Sequence, residues 1–181
     1  MTPVDFQGEH VEPFLRFAQD LPDGDVTFIK EPISHRDTVR SWAQSLADRD
    51  DSGRRWVVLG DDRVIAFLAV LRQPGWSSHV GEIRLVVHPD HRGKGLGRDL
   101  ARYALLYAAE AGLAKLVVEI VADDANYISM FHAMGFTGEA LLRDHIRDRE
   151  GRERDLVMLA HFLEGTRADM YTLGLAGELV E

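Results

Sequence analysis

Val80-Gly81-Glu82-Ile83-Arg84-Leu85-Val86-Val87-His88-Pro89-Asp90-His91-Arg92-Gly93-Lys94-Gly95-Leu96-Gly97 is the stretch around which the rest of the chain is read. Ile83, Leu85 and Val87 alternate with Glu82, Arg84 and Val86, which predicts a strand ending in β-branched residues. Pro89 then breaks it, because proline has no N–H to give to a ladder and restricts the residue before it. Gly93, Gly95 and Gly97 follow at alternate positions, and a helical pattern opens directly behind them. Glycines leave backbone N–H groups unfenced, and a helix N-terminus adds unpaired donors and partial positive charge. Such a loop is suited to phosphate oxygens, and Arg92, Lys94 and Arg98 bring formal charge to the same place.

Two common phosphate loops do not fit. A Walker A loop needs Ser or Thr after its lysine, and Lys94 is followed by Gly95. A dinucleotide fingerprint needs a third glycine or alanine where this chain has Arg98 or Leu100. Arg92-x-x-Gly95-x-Gly97 behind Leu-Val-Val-His-Pro-Asp does resemble the acetyl-CoA loop of the GNAT superfamily of N-acetyltransferases. In that family the pattern is Arg or Gln, two residues, Gly, one residue, then Gly or Ala.

Composition sets outer bounds. The chain has 181 residues, 45% hydrophobic and 28% charged, which predicts one domain with a real core spanning 1–181. A net charge of −9 argues against general nucleic-acid binding, since neutralising phosphates needs surplus Lys and Arg. No apolar run reaches membrane-spanning length, and Met-Thr-Pro-Val-Asp-Phe lacks the regions of a signal peptide. No membrane association and a cytoplasmic location are therefore expected. With no cysteine and eight scattered histidines, neither a thiol nucleophile nor a metal site is expected.

Read in order, residues 11–21 and 36–47 have helical spacing, the second with Ser34 as a candidate N-cap. Residues 26–29 suggest a short strand or an extended entry, and 56–59 with 64–71 a hairpin. After the glycines, Leu100, Ala101, Ala104, Leu105 and Ala108 mark a helix that closes near Gly112. Residues 116–121 are almost continuously apolar, as in a strand buried on both faces. Strand, loop, helix and strand together predict a crossover to a parallel neighbour. A helix over 127–134 and strands over 136–146 and 154–159 follow, and the tail from 160 to 181 has no clear period.

The second half adds to the resemblance. An Asn/Asp-rich strand end, a short helix and Gly135-Phe136 look like the second GNAT motif, so the likeness covers about residues 55 to 159. It implies an α/β fold: a mixed, mostly antiparallel sheet flanked by helices, its two central parallel strands splayed around the coenzyme. It also implies acetyl-CoA as cosubstrate, with its diphosphate on Arg92, Gly93, Lys94, Gly95, Leu96 and Gly97. Arg98 and Arg102 either neutralise phosphates or form surface pairs. Backbone groups of Val86 and Val87 would pair the pantetheine arm, and the Leu85 N–H would face the reacting carbonyl oxygen. Asn126 and Phe131 are expected along the coenzyme's path, although Asn126 or Asp124 is also a candidate helix cap.

Acetyl transfer to an amine needs a base, alignment of the reactants, donors for the oxyanion and a proton for the thiolate. Glu82 is the leading base, because many family members carry a glutamate in that part of the strand; His79 is the runner-up. The family's usual tyrosine acid, four residues before the glycine, is replaced by Phe131, which cannot donate a proton. Tyr127, one helical turn earlier, either reaches the sulfur or packs in the core. The expected acceptor is a primary amine, on a small molecule or on a protein lysine or N-terminus. Phe131 in place of the family's tyrosine keeps a second reading open, a coenzyme-binding sensor without catalysis. A homodimer through the tail is also expected as an option.

Overall fold

The structure is a computed structural model describing residues 2–22, 25, 30–47, 52–61, 63–148 and 150–163. Among these the chain runs β1 (Val4–Asp5), α1 (Val11–Asp20), α2 (Arg36–Ala47), β2 (Gly53–Gly60), β3 (Arg63–Arg72), β4 (Val80–Val87), α3 (Leu96–Glu110), β5 (Lys115–Val121), α4 (Ala125–His132), β6 (Thr137–Arg147) and β7 (Glu153–Phe162). Seven strands form one sheet in the order β1-β2-β3-β4-β5-β7-β6. All described pairs are antiparallel except β4 with β5. That pair is parallel because α3 carries the chain back between them, the crossover expected from the sequence.

The parallel pair is short. Its rungs run from Val80↔Lys115 to Ile83↔Val118, yet β4 continues to Val87 and β5 to Val121. Past Ile83 the two strands part, so backbone groups on their facing edges lose their ladder partners. A fork opens in the middle of the sheet.

Side-chain alternation gives the sheet two buried faces. On one, Ala66, Leu68, Val70, Ile83 and Val87 meet Leu100, Ala101, Ala104 and Ala108 of α3, together with Phe131 and Phe136. On the other, Phe67 and Ala69 meet Phe14 of α1, Trp42 of α2, and Phe6. Trp42 stacks on Phe67 at 5.4 Å between ring centroids, and Phe14 lies 5.1 Å from Phe67. Each such pair adds about 0.5–1.5 kcal/mol beyond its buried area. Register carries the same alternation to β4: Phe67↔Val86, Ala69↔Arg84 and Leu71↔Glu82 put Glu82 and Arg84 on the α1/α2 face.

Several sequence expectations shift by a residue or two. Helix α2 begins at Arg36 and its first turn closes from Val39 N–H to the His35 carbonyl, so the cap position falls on His35, not Ser34. Helix α4 begins at Ala125 with Asp124 as N-cap, its carboxylate accepting from the Tyr127 amide at 3.0 Å. Strand β1 was not expected, since two residues carry no readable period. The closing hairpin, whose strand order the sequence left open, places β7 between β5 and β6. The strand expected at 26–29 and the tail beyond 163 lie outside the described residues.

Candidate active site

The glycine loop takes its shape from backbone angles that a side chain resists. Gly93 and Gly95 have φ of 72° and 90°, in the left-handed region that L-residues other than glycine enter at a cost. Gly95 is the N-cap of α3, and the first amide to find a helical carbonyl is Asp99 N–H, bonded to Gly95 at 3.1 Å. The amides of Leu96, Gly97 and Arg98 precede that register and have no carbonyl within the helix. They stand at the positive end of a helix of 15 residues.

Gly97 and Arg98 of this turn line a cleft of about 1040 Å³ set in the fork. Glu82 through Val87 of β4 line it, with Val118 through Val121 of β5, Gly93, Gly95, Gly97 and Arg98 of the loop, and Asn126, Tyr127 and Met130 of α4. Most sequence-predicted residues therefore meet in one place. Lys94 and Leu96 are not among the lining residues; the Lys94 ammonium donates to the Asp90 carbonyl at 3.0 Å and braces the turn. Arg92 lines the cleft but is already engaged: Nε donates to the Val87 carbonyl at 2.8 Å, and its guanidinium pairs with Asp25. Arg102 pairs with Asp99 on the surface of α3, while Arg98 is exposed at the cleft.

Phe131 stands apart from the cleft. It is fully buried, packed 5.0 Å from Phe136 and 5.9 Å from Tyr127, and is not among the lining residues. A phenyl ring gains most by leaving water, and the core behind α4 has room for it. Tyr127, on the same helix face, does reach the fork. Its hydroxyl donates to the Leu85 carbonyl at 3.0 Å, and burial of the hydroxyl end raises its pKa well above the ordinary tyrosine value. Leu85 and Val87 thus both present carbonyls to groups lining the cleft. By strand alternation the intervening Val86 turns its backbone toward β3. His79 precedes β4 and is not among the lining residues.

Glu82 is buried and held by several partners. Its carboxylate accepts from Gln73 Nε2 at 3.0 Å and Arg84 Nε at 3.3 Å, and pairs with the Lys30 ammonium at 3.1 Å. Lys30 also pairs with Glu119 at 2.7 Å. Arg84 continues the chain of charge to Glu31 at 2.9 Å, which Arg55 meets at 3.4 Å. Lys30 carried no sequence signal as a site residue. Glu119 interrupts the apolar run of β5, which was its one local hint. Among the described residues no cluster of three or more His, Cys, Asp or Glu side chains could hold a metal ion.

The forked sheet above a glycine-lined helix start has counterparts among solved structures. The architecture matches the ribosomal-protein-alanine N-acetyltransferase from Brucella melitensis with a TM-score of 0.78 and 20% identity, over 90% of this chain and 100% of that one. It also matches a putative acetyltransferase from Salmonella typhimurium, solved with its cofactor acetyl-CoA, with a TM-score of 0.72 and 21% identity over 90% and 93%. By sequence the chain is 34% identical over 87 residues to the streptothricin acetyltransferase of Streptomyces lavendulae, covering 48% of this chain and 46% of that protein. The chain spans about half the length of the curated relatives it matches first. Residues 18–136 match the pattern of the acetyltransferase (GNAT) family, and the chain belongs to that family.

Proposed function

We propose that this protein transfers an acetyl group from acetyl-CoA to a primary amine, and that residues 1–181 act as one unit in doing so. The observation that carries this reading is the fork: β4 and β5 part past Ile83 and Val118, with Gly97 and Arg98 of the first turn of α3 lining the gap. The coenzyme would bring a thioester to the fork. The amides at 96–98 and the glycine backbone at 93–97 would hold its phosphates, helped by Arg98. Arg92 shapes the loop through Val87, and exchanges Asp25 for a phosphate only if that pair opens.

The other steps fall to the chain's own groups. The cleft edge of β4 at Leu85 and Val87 gives backbone pairing for an extended amide-bearing arm, and the Leu85 N–H suits a developing oxyanion. Glu82 accepts the proton of the amine from the α1/α2 face. Tyr127 keeps its proton tightly, because burial raises its pKa. A thiol near its usual pKa of about 8.5 is the stronger acid, so solvent supplies the proton, and Tyr127 donates to the leaving sulfur only by turning its one O–H away from the Leu85 carbonyl. The structural match to a protein solved with acetyl-CoA supports the cosubstrate, and acceptors named for relatives, such as streptothricin, support an amine. A cytoplasmic setting goes with that cosubstrate; among the described residues no helix is long and apolar enough to cross a membrane.

The test is thiol release from acetyl-CoA against polyamines, amino acids, aminoglycosides and lysine peptides, beside calorimetry with coenzyme A. Release with at least one amine is expected. Binding without release across the panel would make the protein a coenzyme sensor, and no binding would overturn the reading.

A further inference from the structure

The Lys30 ammonium sits between two carboxylates that the sheet itself brings together. Glu82 pairs with Val117 one rung below the last of the parallel ladder, and Glu119 is the first β5 residue beyond that ladder. Strand alternation puts both on the same face, the one opposite α3 and its glycine loop. Their side chains are 7% and 17% exposed, whereas Lys30 is 45% exposed and reaches in from outside the sheet. All three line the cleft. Buried carboxylates without a cation are costly, so this pair calls for one positive charge. Arg84 does not satisfy that demand alone, because it is shared with Glu31 and the structure gives it no pair with Glu119.

We propose that Glu82 and Glu119 form the ammonium subsite of the acceptor, that Lys30 fills it as an internal stand-in, and that acceptors are primary alkylammonium ions able to displace Lys30. This rests on the acetyl-transfer reading for the word acceptor, but the binding itself does not. Exchange of one ammonium for another keeps the charge of the cluster constant, so an alkylammonium can enter where a neutral amine would leave Glu119 without a cation and Glu82 with only its share of Arg84. The incoming nitrogen would then lie against Glu82, the group placed to take its proton. Lys30 sets a threshold: weakly held amines lose to it, and multiply bonded ones win.

Calorimetry of n-butylammonium chloride on the full chain at neutral pH tests this without coenzyme or turnover. Lys30→Met, and Lys30→Gln as a second variant, are expected to bind the probe about tenfold more tightly than the unaltered protein. Glu119→Gln is expected to bind about tenfold more weakly. Aniline, neutral at this pH, should not distinguish the four proteins. Equal butylammonium affinity in the unaltered and Lys30 variants would overturn the proposal, as would aniline following the same order. If the order holds and no amine is acetylated, the subsite stands and the acetyl-transfer reading fails.

Discussion

The Tyr127 hydroxyl and the Leu85 carbonyl meet at 3.0 Å across the fork, so a helix side chain bonds a strand edge whose neighbouring strand has turned away. That one contact joins α4 to β4 at the cleft. It satisfies a carbonyl that the sheet leaves without a ladder partner, at a hydroxyl whose burial raises its pKa.

The penalty for removing the hydroxyl should be largest near neutrality and shrink at high pH. Tyr127→Phe is expected to cost about 1 kcal/mol near neutrality, the net value of one hydrogen bond. Because burial raises the folded-state pKa, the stability held by the neutral phenol is complete below the ordinary tyrosine range. It is then lost as pH rises through about 10 and beyond. The variant should therefore lose less stability between about pH 10 and 11.5 than the unaltered protein. Urea unfolding across that range measures it; identical slopes would mean that the phenol is not specially protected.

Glu82→Gln should lower turnover by about 10²–10⁴, the usual contribution of a positioned base. Coenzyme affinity should change little, since the glycine loop lies on the other face of the sheet. Thiol release and calorimetry separate the two quantities. A variant of unchanged rate across the pH range removes Glu82 from the mechanism.

Position 95 should respond to backbone conformation and not to crowding. Nothing lies within 4 Å of a Cβ added there, but φ is +90°. Gly95→Val should destabilise by about 1–2 kcal/mol and weaken coenzyme binding, whereas Gly95→Asn should lose less, since asparagine tolerates left-handed angles. Equal losses in thermal unfolding and calorimetry would point to sterics with the ligand instead.

Restoring a tyrosine at position 131 should harm the protein. Phe131 is fully buried among Tyr127, Phe136 and the core of α3, so Phe131→Tyr buries a hydroxyl among apolar groups. A cost of about 1–3 kcal/mol is expected, with no gain in rate. A faster enzyme of unaltered melting temperature would show that the ring lies within reach of the sulfur after all.

Local chemistry explains what could be read without coordinates. The glycine loop is legible because positive φ and the strand-to-helix turn are set within a few residues, and Gly93 and Gly95 do adopt those angles. The β4-α3-β5 crossover is legible because periodicity changes from two to 3.6 and back. Glu82 could be assigned to a face by alternation alone. Asp124 and Asn126 were equal candidates for the cap until the Asp124 carboxylate was found on the Tyr127 amide.

What the chain by itself determined, then, is the glycine loop between strand and helix, the parallel crossover and the alternation that sets Glu82 on the face opposite Ile83. Only the tertiary structure decided that β7 enters between β5 and β6, that Phe131 is core while Tyr127 reaches the fork, and that Lys30 joins Glu82 to Glu119. The reason is range: backbone angles and strand period depend on neighbours in sequence, but a charge pair between residues 30, 82 and 119 exists only after the sheet has brought distant segments together.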